Sequence, residues 1–339
     1  MGGDHGPPVV VPAVARACER LRGEEVRFLL HGDARRLEPE LKRCPDAHCV
    51  SEVRHTATEI PMDEKPALAL RRSKGSSLWN AIDTVKAGEA QAAVSAGNTG
   101  ALMAISRLVL RMSGGLDRPA IVASWPNVRG VSAVLDVGAN VTSDAAQLVQ
   151  FAIMGSAFHH AVHGTERPTV GLLNVGVEDV KGHEEVREAH ALLLEAGLDL
   201  DYRGFVEGDD IAKGTVDVVV TDGFTGNIAL KTAEGTARFI SGLLRESLTS
   251  SPRSKLGALI AAPALRKMRA RIDPGAVNGG PFLGLNGIVV KSHGGADAKS
   301  FANALKVAVD LARSDYASEI ARNLDRLSAA LAGPQAKIA

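Results

Sequence analysis

Apolar residues along the 339-residue chain follow two rhythms that alternate from one end to the other. Short apolar runs bounded by glycine, asparagine or aspartate predict strands at 26–33, 49–53, 92–94, 120–124, 131–137, 169–175, 216–221 and 288–291. Between them, apolar positions recurring every three to four residues predict helices over 9–21, 37–43, 62–72, 77–87, 99–112, 144–162 and 184–195. A long helix is predicted from Ile228, and two more over 298–331, split near Ser314. Ser76 is placed to cap one helix, while Gly88 and Gly197 close two others. The runs at 120–124 and 131–137 flank the turn-prone Trp125-Pro126-Asn127 and predict an antiparallel hairpin. Elsewhere strands alternate with helices, and parallel strands need a crossover. The fold class is therefore α/β, a mostly parallel sheet with helices on both faces. No linker rich in Pro, Gly or Ser divides the chain, so residues 1–339 are expected to form one catalytic domain.

Composition narrows the function. Lys plus Arg number 39 and Asp plus Glu number 39, and this balance argues against nucleic acid as a partner. Glycine at 35 residues exceeds the usual ~7% share and suits many tight strand-to-helix turns. Three cysteines, Cys18, Cys44 and Cys49, are an odd set that points to a reducing cytoplasm. Cys44, His48, Cys49 and His55 match no standard zinc spacing, so no metal is expected. No uncharged apolar run reaches the ~18 residues of a membrane span. The opening Met1-Gly2-Gly3-Asp4-His5-Gly6-Pro7 reads as a loop that ought to follow a strand, which predicts a first β-strand ahead of Met1.

Ligands of open α/β sheets bind beyond the carboxyl ends of strands, so the residues that follow each strand assemble a candidate site. The most organised stretch holds Ser95, Gly97, Asn98, Thr99 and Gly100, a turn of small residues opening a helix. Unpaired N–H groups and the positive end of the helix dipole make it a phosphate-binding candidate, although capping by Asn98 or Thr99 would also explain the pattern. Asn140, Asn174 and Asp222 follow other strands beside glycines and are candidates for holding an oxyanion or an acyl thioester. His5, Lys181, Asn227, Lys291 and His293 complete the set as candidate catalytic groups. Neither the dinucleotide fingerprint nor a phosphate-binding P-loop is present, and no serine-nucleophile elbow is found. The apolar stretch holding Leu256, Leu259, Ile260 and Leu265 is followed by Arg266 and Lys267. Within a helical hairpin at about 228–273, it suits a lipid surface with anionic head groups or a second subunit.

Several of these stretches together resemble one family. Met1 to Pro7, Met62-Asp63-Glu64-Lys65-Pro66-Ala67, Val94 to Leu102, Leu135 to Asn140, Asp222 to Asn227, Leu283-Gly284-Leu285-Asn286-Gly287 and Lys291-Ser292-His293-Gly294 are similar to the PlsX phosphate acyltransferases, in order and over essentially the whole chain. The resemblance implies a fold related to phosphate acetyltransferases and isocitrate dehydrogenases. It implies transfer of a long-chain acyl group from acyl carrier protein to inorganic phosphate, giving acyl phosphate for the membrane acyltransferase PlsY. It implies a homodimer, peripherally attached to the inner face of the cell membrane. No separate cofactor is implied, because phosphate is a substrate and phosphopantetheine arrives on the carrier protein. Three readings compete with it: an acetyl-coenzyme A-dependent phosphate acetyltransferase, a non-catalytic membrane scaffold for lipid enzymes, and a dehydrogenase, which the missing fingerprint disfavours.

Overall fold

The computed structural model describes residues 1–21, 25–271 and 273–332. Helix α1 (Pro7–Arg20) leads to β1 (Phe28–Gly32), α2 (Ala34–Arg43), the single turn α3 (Pro45–His48) and β2 (Ser51–His55). Helices α4 (Pro66–Arg72) and α5 (Ser77–Lys86) precede β3 (Ala92–Ser95), α6 (Thr99–Leu110) and the hairpin of β4 (Ala120–Pro126) and β5 (Val131–Leu135). Next come α7 (Ala145–His163), β6 (Thr169–Leu173), α8 (Glu184–Glu195), β7 (Asp201–Val206), α9 (Gly208–Lys213) and β8 (Val218–Val220). The chain continues through α10 (Gly223–Thr249), α11 (Pro252–Arg271), β9 (Gly280–Leu283), β10 (Ile288–Lys291), α12 (Ala298–Arg313) and α13 (Tyr316–Ala332).

Eight strands form one sheet in the order β3-β10-β9-β4-β5-β8-β6-β7, while β1 and β2 pair separately in parallel. Parallel pairing joins β3 to β10, β5 to β8, β8 to β6 and β6 to β7; the other neighbours are antiparallel. Three successive antiparallel pairings, β10 with β9, β9 with β4 and β4 with β5, therefore make β3 and β10 run opposite to β5, β8 and β6. Helix α7 lies at the centre of one face. Asp144 and Gln147 form its capping box, Gly164 ends it in the left-handed region, and Phe151, Met154 and Phe158 are fully buried. Strand residues Val122, Leu135, Val218 and Leu172 meet it there, with α8 and α13 packed outside. Alternation puts Val134 and Val219 on the other face, with Ile211 of α9 and Leu230 of α10. Helices cover both faces, as the alternating pattern predicts.

Several elements depart from the pattern. α3, β7, α9 and β9 are not predicted, helix α4 starts at Pro66 rather than at 62, and α10 starts at Gly223 rather than at 228. Pro66 sits at the first helical turn, where its missing N–H costs nothing. Gly223 reads as a turn glycine because of its type, yet it lies in the helix because of its neighbours. A Cβ there would sit 2.2 Å from the Asn140 carbonyl oxygen.

Candidate active site

Since β3 and β10 are parallel neighbours, the loops leaving their carboxyl ends lie side by side, and the Ser292 N–H donates to the Ser95 carbonyl at 2.9 Å. The opening loop closes over both. Asp4 N–H donates to the Gly294 carbonyl at 3.0 Å, and Gly2, at φ +87°, approaches Gly97 so nearly that an added Cβ would lie 3.1 Å from its Cα. Residues 1–5, 95–100 and 291–295 thus form one surface.

The Asn98 side chain is fully engaged in building it. Its Oδ1 accepts the Ala101 N–H at 3.0 Å as the cap of α6, and its Nδ2 donates to the carbonyls of Glu64, Met62 and Pro61 at 2.8, 2.9 and 3.3 Å. Asn98 therefore holds the 61–64 stretch against the helix start, and the expectation that its side chain serves phosphate is corrected. Ser95 Oγ accepts the Gly97 N–H at 3.0 Å, so it too shapes the turn. What stays open is backbone: among the described residues no acceptor pairs with the N–H groups of Thr99 and Gly100. They are first-turn donors at the positive end of a 12-residue helix.

Lys291 stands beside them. Its Nζ donates to the Ser292 carbonyl and, at 3.3 Å, to the Ala96 carbonyl, leaving one donor over. Burial pushes its ammonium down to about 8, against the opposing pull of Asp4. His293 is exposed, and its Nδ1 accepts the Gly295 N–H at 3.1 Å, which places the proton of the neutral ring on Nε2, facing outward as a donor. His5 is exposed on the same opening loop.

A second group forms beyond β5, β8 and β6. Asp136 is fully buried; its Oδ1 accepts the N–H groups of Ile121, Ala139 and Gly138 at 3.0, 3.0 and 3.1 Å. Its Oδ2 accepts the Asn140 N–H at 2.7 Å and Asn140 Nδ2 at 3.0 Å. Burial raises its pKa, and these donors oppose the rise. Asn140 Nδ2 also donates to the Pro119 carbonyl at 2.8 Å, so Asn140 is a structural tie and not a free ligand. Asp222 caps α10 by accepting the Thr225 N–H at 2.9 Å and its hydroxyl at 2.7 Å. Asn227, by contrast, is exposed beside Gly138, and no hydrogen-bond partner is found for it among the described residues. Asn174 ties its own loop: Nδ2 donates to the Lys181 carbonyl at 3.1 Å and Oδ1 accepts the Val175 N–H at 2.9 Å. Lys181 pairs with Glu178 at 2.8 Å, and that carboxylate raises its pKa.

The sequence reading gathers all these residues into one site, whereas the sheet sorts them into two groups. Lys291, His293, His5 and the 95–100 turn stand together; Lys181, Asn174, Asn140, Asp222 and Asn227 stand together beyond strands of the opposite direction. Asp136 is the buried scaffold residue of this group that the sequence reading does not single out. Its signal is an acid directly after the apolar 131–135 run, where only a carboxylate with several donors is tolerated.

Helices α10 and α11 are joined by two residues and pack on each other as a hairpin. Phe239, Ile240, Leu256, Leu259 and Ile260 are exposed on it, Leu265 is half-buried, and Arg266 and Lys267 are exposed. Among the described residues, no helix is long and apolar enough to cross a membrane, and no group of three or more His, Cys, Asp or Glu is placed to hold a metal ion.

Residues 1–319 match the model of a family described as "Fatty acid synthesis protein". The chain is 69% identical over 332 residues to a phosphate acyltransferase of Caulobacter vibrioides, covering 98% of this chain and 92% of that one. A phosphate acyltransferase of Phenylobacterium zucineum is 61% identical, with 98% and 93% covered. Among solved structures, a phosphotransacetylase from Streptococcus pyogenes superposes with a TM-score of 0.60 at 17% identity, covering 89% of this chain and 91% of that one. The EutD phosphotransacetylase from Staphylococcus aureus gives 0.57 at 15% identity, covering 88% and 98%. These two likenesses establish the α/β fold. Identity at this level over nearly the full length establishes more: the chain belongs to the phosphate acyltransferase family of fatty acid synthesis proteins.

Proposed function

We propose that this transferase moves a long-chain acyl group from acyl carrier protein to inorganic phosphate. The observation that carries the reading is the free Thr99 and Gly100 N–H pair near the half-buried Lys291 ammonium, an anion site where, among the described residues, no side-chain carboxylate is hydrogen-bonded to that ammonium. Phosphate held there is already anionic, so positioning and charge stabilisation supply most of the acceleration. One phosphate oxygen attacks the thioester carbonyl carbon; the C–O bond forms, the C–S bond breaks, and the pantetheine sulfur leaves as thiolate. A thiol pKa of ~8.5 means the leaving group needs little help. His293 and His5, exposed on the same surface, are the candidate proton sources for it.

Asn227 and the 174–182 loop with Lys181 face the acyl side of the reaction. The single domain works as a homodimer. Its α10–α11 hairpin supplies apolar residues for the subunit contact and basic residues, Arg266 and Lys267, for an anionic membrane surface. Such attachment brings the acyl phosphate to the membrane acyltransferase PlsY and fits a peripheral, cytoplasmic enzyme.

The test is thiol release from palmitoyl-acyl carrier protein with and without phosphate, trapping acyl phosphate as a hydroxamate. Release that depends on phosphate and gives palmitoyl hydroxamate supports the reading. Release from acetyl-coenzyme A alone would replace it with an acetyltransferase, and no release from folded protein would sink it.

A further inference from the structure

Helix α4 and the residues on either side of it form a rim of the candidate phosphate site. Asn98 Nδ2 holds the carbonyls of Pro61, Met62 and Glu64. Met62 reaches over the turn after β10, so that a Cβ added to Gly294 would lie 3.0 Å from its Cε, and Pro66 covers Gly100, where an added Cβ would lie 2.6 Å from Pro66 Cγ. The helix then buries Ala69 against Ala101, Leu102 and Ile105 of α6. Its far end is pinned as well: Thr56 Oγ1 donates to the Gly75 carbonyl at 2.6 Å, and the Ser77 N–H to the Thr58 carbonyl at 2.9 Å. On this fixed rim stand four exposed cations, Lys65, Arg71, Arg72 and Lys74, and no acid lies between Glu64 and Asp83 in the chain. Among the described residues none of the four has an ion-pair partner, whereas Arg36 and Arg54 of the preceding elements are paired with Glu59 and with Glu52 and Glu89. The helix dipole accounts for Arg71 and Arg72 in the last turn, but it disfavours Lys65 at the N-cap and leaves Lys74, beyond the end, unexplained.

We propose that α4 and its flanking residues are the docking surface for acyl carrier protein, engaging an acidic face of that protein while its pantetheine arm passes Met62 to reach the phosphate. The inference rests on the acyl-transfer reading above and names where the donor is held. A thioester carried on a protein has to be presented from close by, and the seven-residue helix sets Arg72 only ~10 Å along its axis from the contact of Pro66 with Gly100. Uncompensated cations attract an acidic partner, steer its approach and fix its orientation. A lipid surface is the poorer fit. An interfacial helix turns an apolar face outward, whereas α4 packs its apolar face on α6 and leaves Leu68 as its one large exposed apolar side chain.

The experiment uses the full chain and the triple variant Arg71→Ala/Arg72→Ala/Lys74→Ala, with Arg71→Lys/Arg72→Lys/Lys74→Arg as the control that keeps the charge. Kd is measured by titration with acyl carrier protein bearing its pantetheine arm, and kcat and KM are measured for palmitoyl-acyl carrier protein and for phosphate. In the alanine variant, Kd and the donor KM are expected to rise about tenfold or more, while kcat and phosphate KM change less than twofold and the melting midpoint holds. Added salt is expected to weaken carrier binding by the parent and to have a flatter effect on the variant. The charge-keeping control is expected to match the parent. An unchanged Kd would overturn the proposal, as would a fall in kcat with the donor KM unchanged. Loss of binding to vesicles of anionic lipid with carrier binding intact would overturn it too and assign the cations to a membrane. The Kd comparison decides the surface whether or not the parent transfers an acyl group to phosphate, and absent transfer is the separate failure of the acyl-transfer reading.

Discussion

The turn at 95–100 and the turn at 136–140 share one sequence signature, a strand ending in small residues, glycine and asparagine, yet they treat hydrogen bonds in opposite ways. At 136–140 the polar groups close on themselves. Asp136 gathers four backbone N–H groups and the Asn140 amide, and nothing in that knot is left for a guest. At 95–100 the side chains also engage one another, but the N–H groups of Thr99 and Gly100 and one donor of Lys291 stay open. Composition of a turn thus does not say whether it is scaffold or site. The count of donors left over does.

The largest test of that contrast is Asp136→Ala, which takes the acceptor from four backbone N–H groups in and around a buried turn and is expected to cost roughly 3 kcal/mol or more of stability, read from a urea melt. Lys291→Met should do the reverse. It removes a desolvated charge, so the melting midpoint holds or rises, while kcat/KM for phosphate falls roughly a hundredfold. A melting loss in Lys291→Met with unchanged phosphate kinetics would erase the distinction between the two turns.

Asn98→Ala belongs with the scaffold despite its address. Losing the cap of α6 should cost about 1–2 kcal/mol, with any kinetic effect following from release of the 61–64 stretch. A pH series sharpens the comparison further. Burial lowers Lys291 to about 8 from its ordinary 10.5, so between those values the unfolded chain holds a proton that the folded chain lacks. Stability conferred through this group therefore rises with pH across that window, while the KM for phosphate climbs as the ammonium is lost. Opposite slopes in a melt series and a kinetic series on the same samples are the expected signature. Lys181→Ala has the smallest effect: its pair with Glu178 is exposed at 2.8 Å, so the melting midpoint should not move and phosphate KM should shift only a few-fold.

Much of the fold is legible in the chain because the period of apolar residues changes cleanly from two to nearly four. The hairpin of β4 and β5 and the capped helix α7 follow from local sequence alone. β9 and β7 are hidden for a local reason. The first begins Gly280-Pro281 and reads as a turn, and the second carries Gly204 at φ +87° beside a slip in register, which breaks the alternation. At the site, residue types are legible and allegiance is not. Lys181 and Lys291 look equivalent as lysines near strand ends, and only the reversals at β9 and β4 send them to different groups. Nor does the sequence tell that the Asn98 amide is occupied, because the carbonyls it binds lie more than thirty residues earlier.

Helix α10 begins as part of the Asp136 knot, with Gly226 so close that a Cβ would fall 2.0 Å from the Asp136 carbonyl oxygen. It then runs unbroken for 27 residues, a rod of ~40 Å. Anchored at one end and projecting at the other, it works as a surveyor's staff: whatever surface its far end touches is held at a set height above Asn227. The separation between that amide and the far end of the hairpin is therefore a length that the backbone itself has measured out.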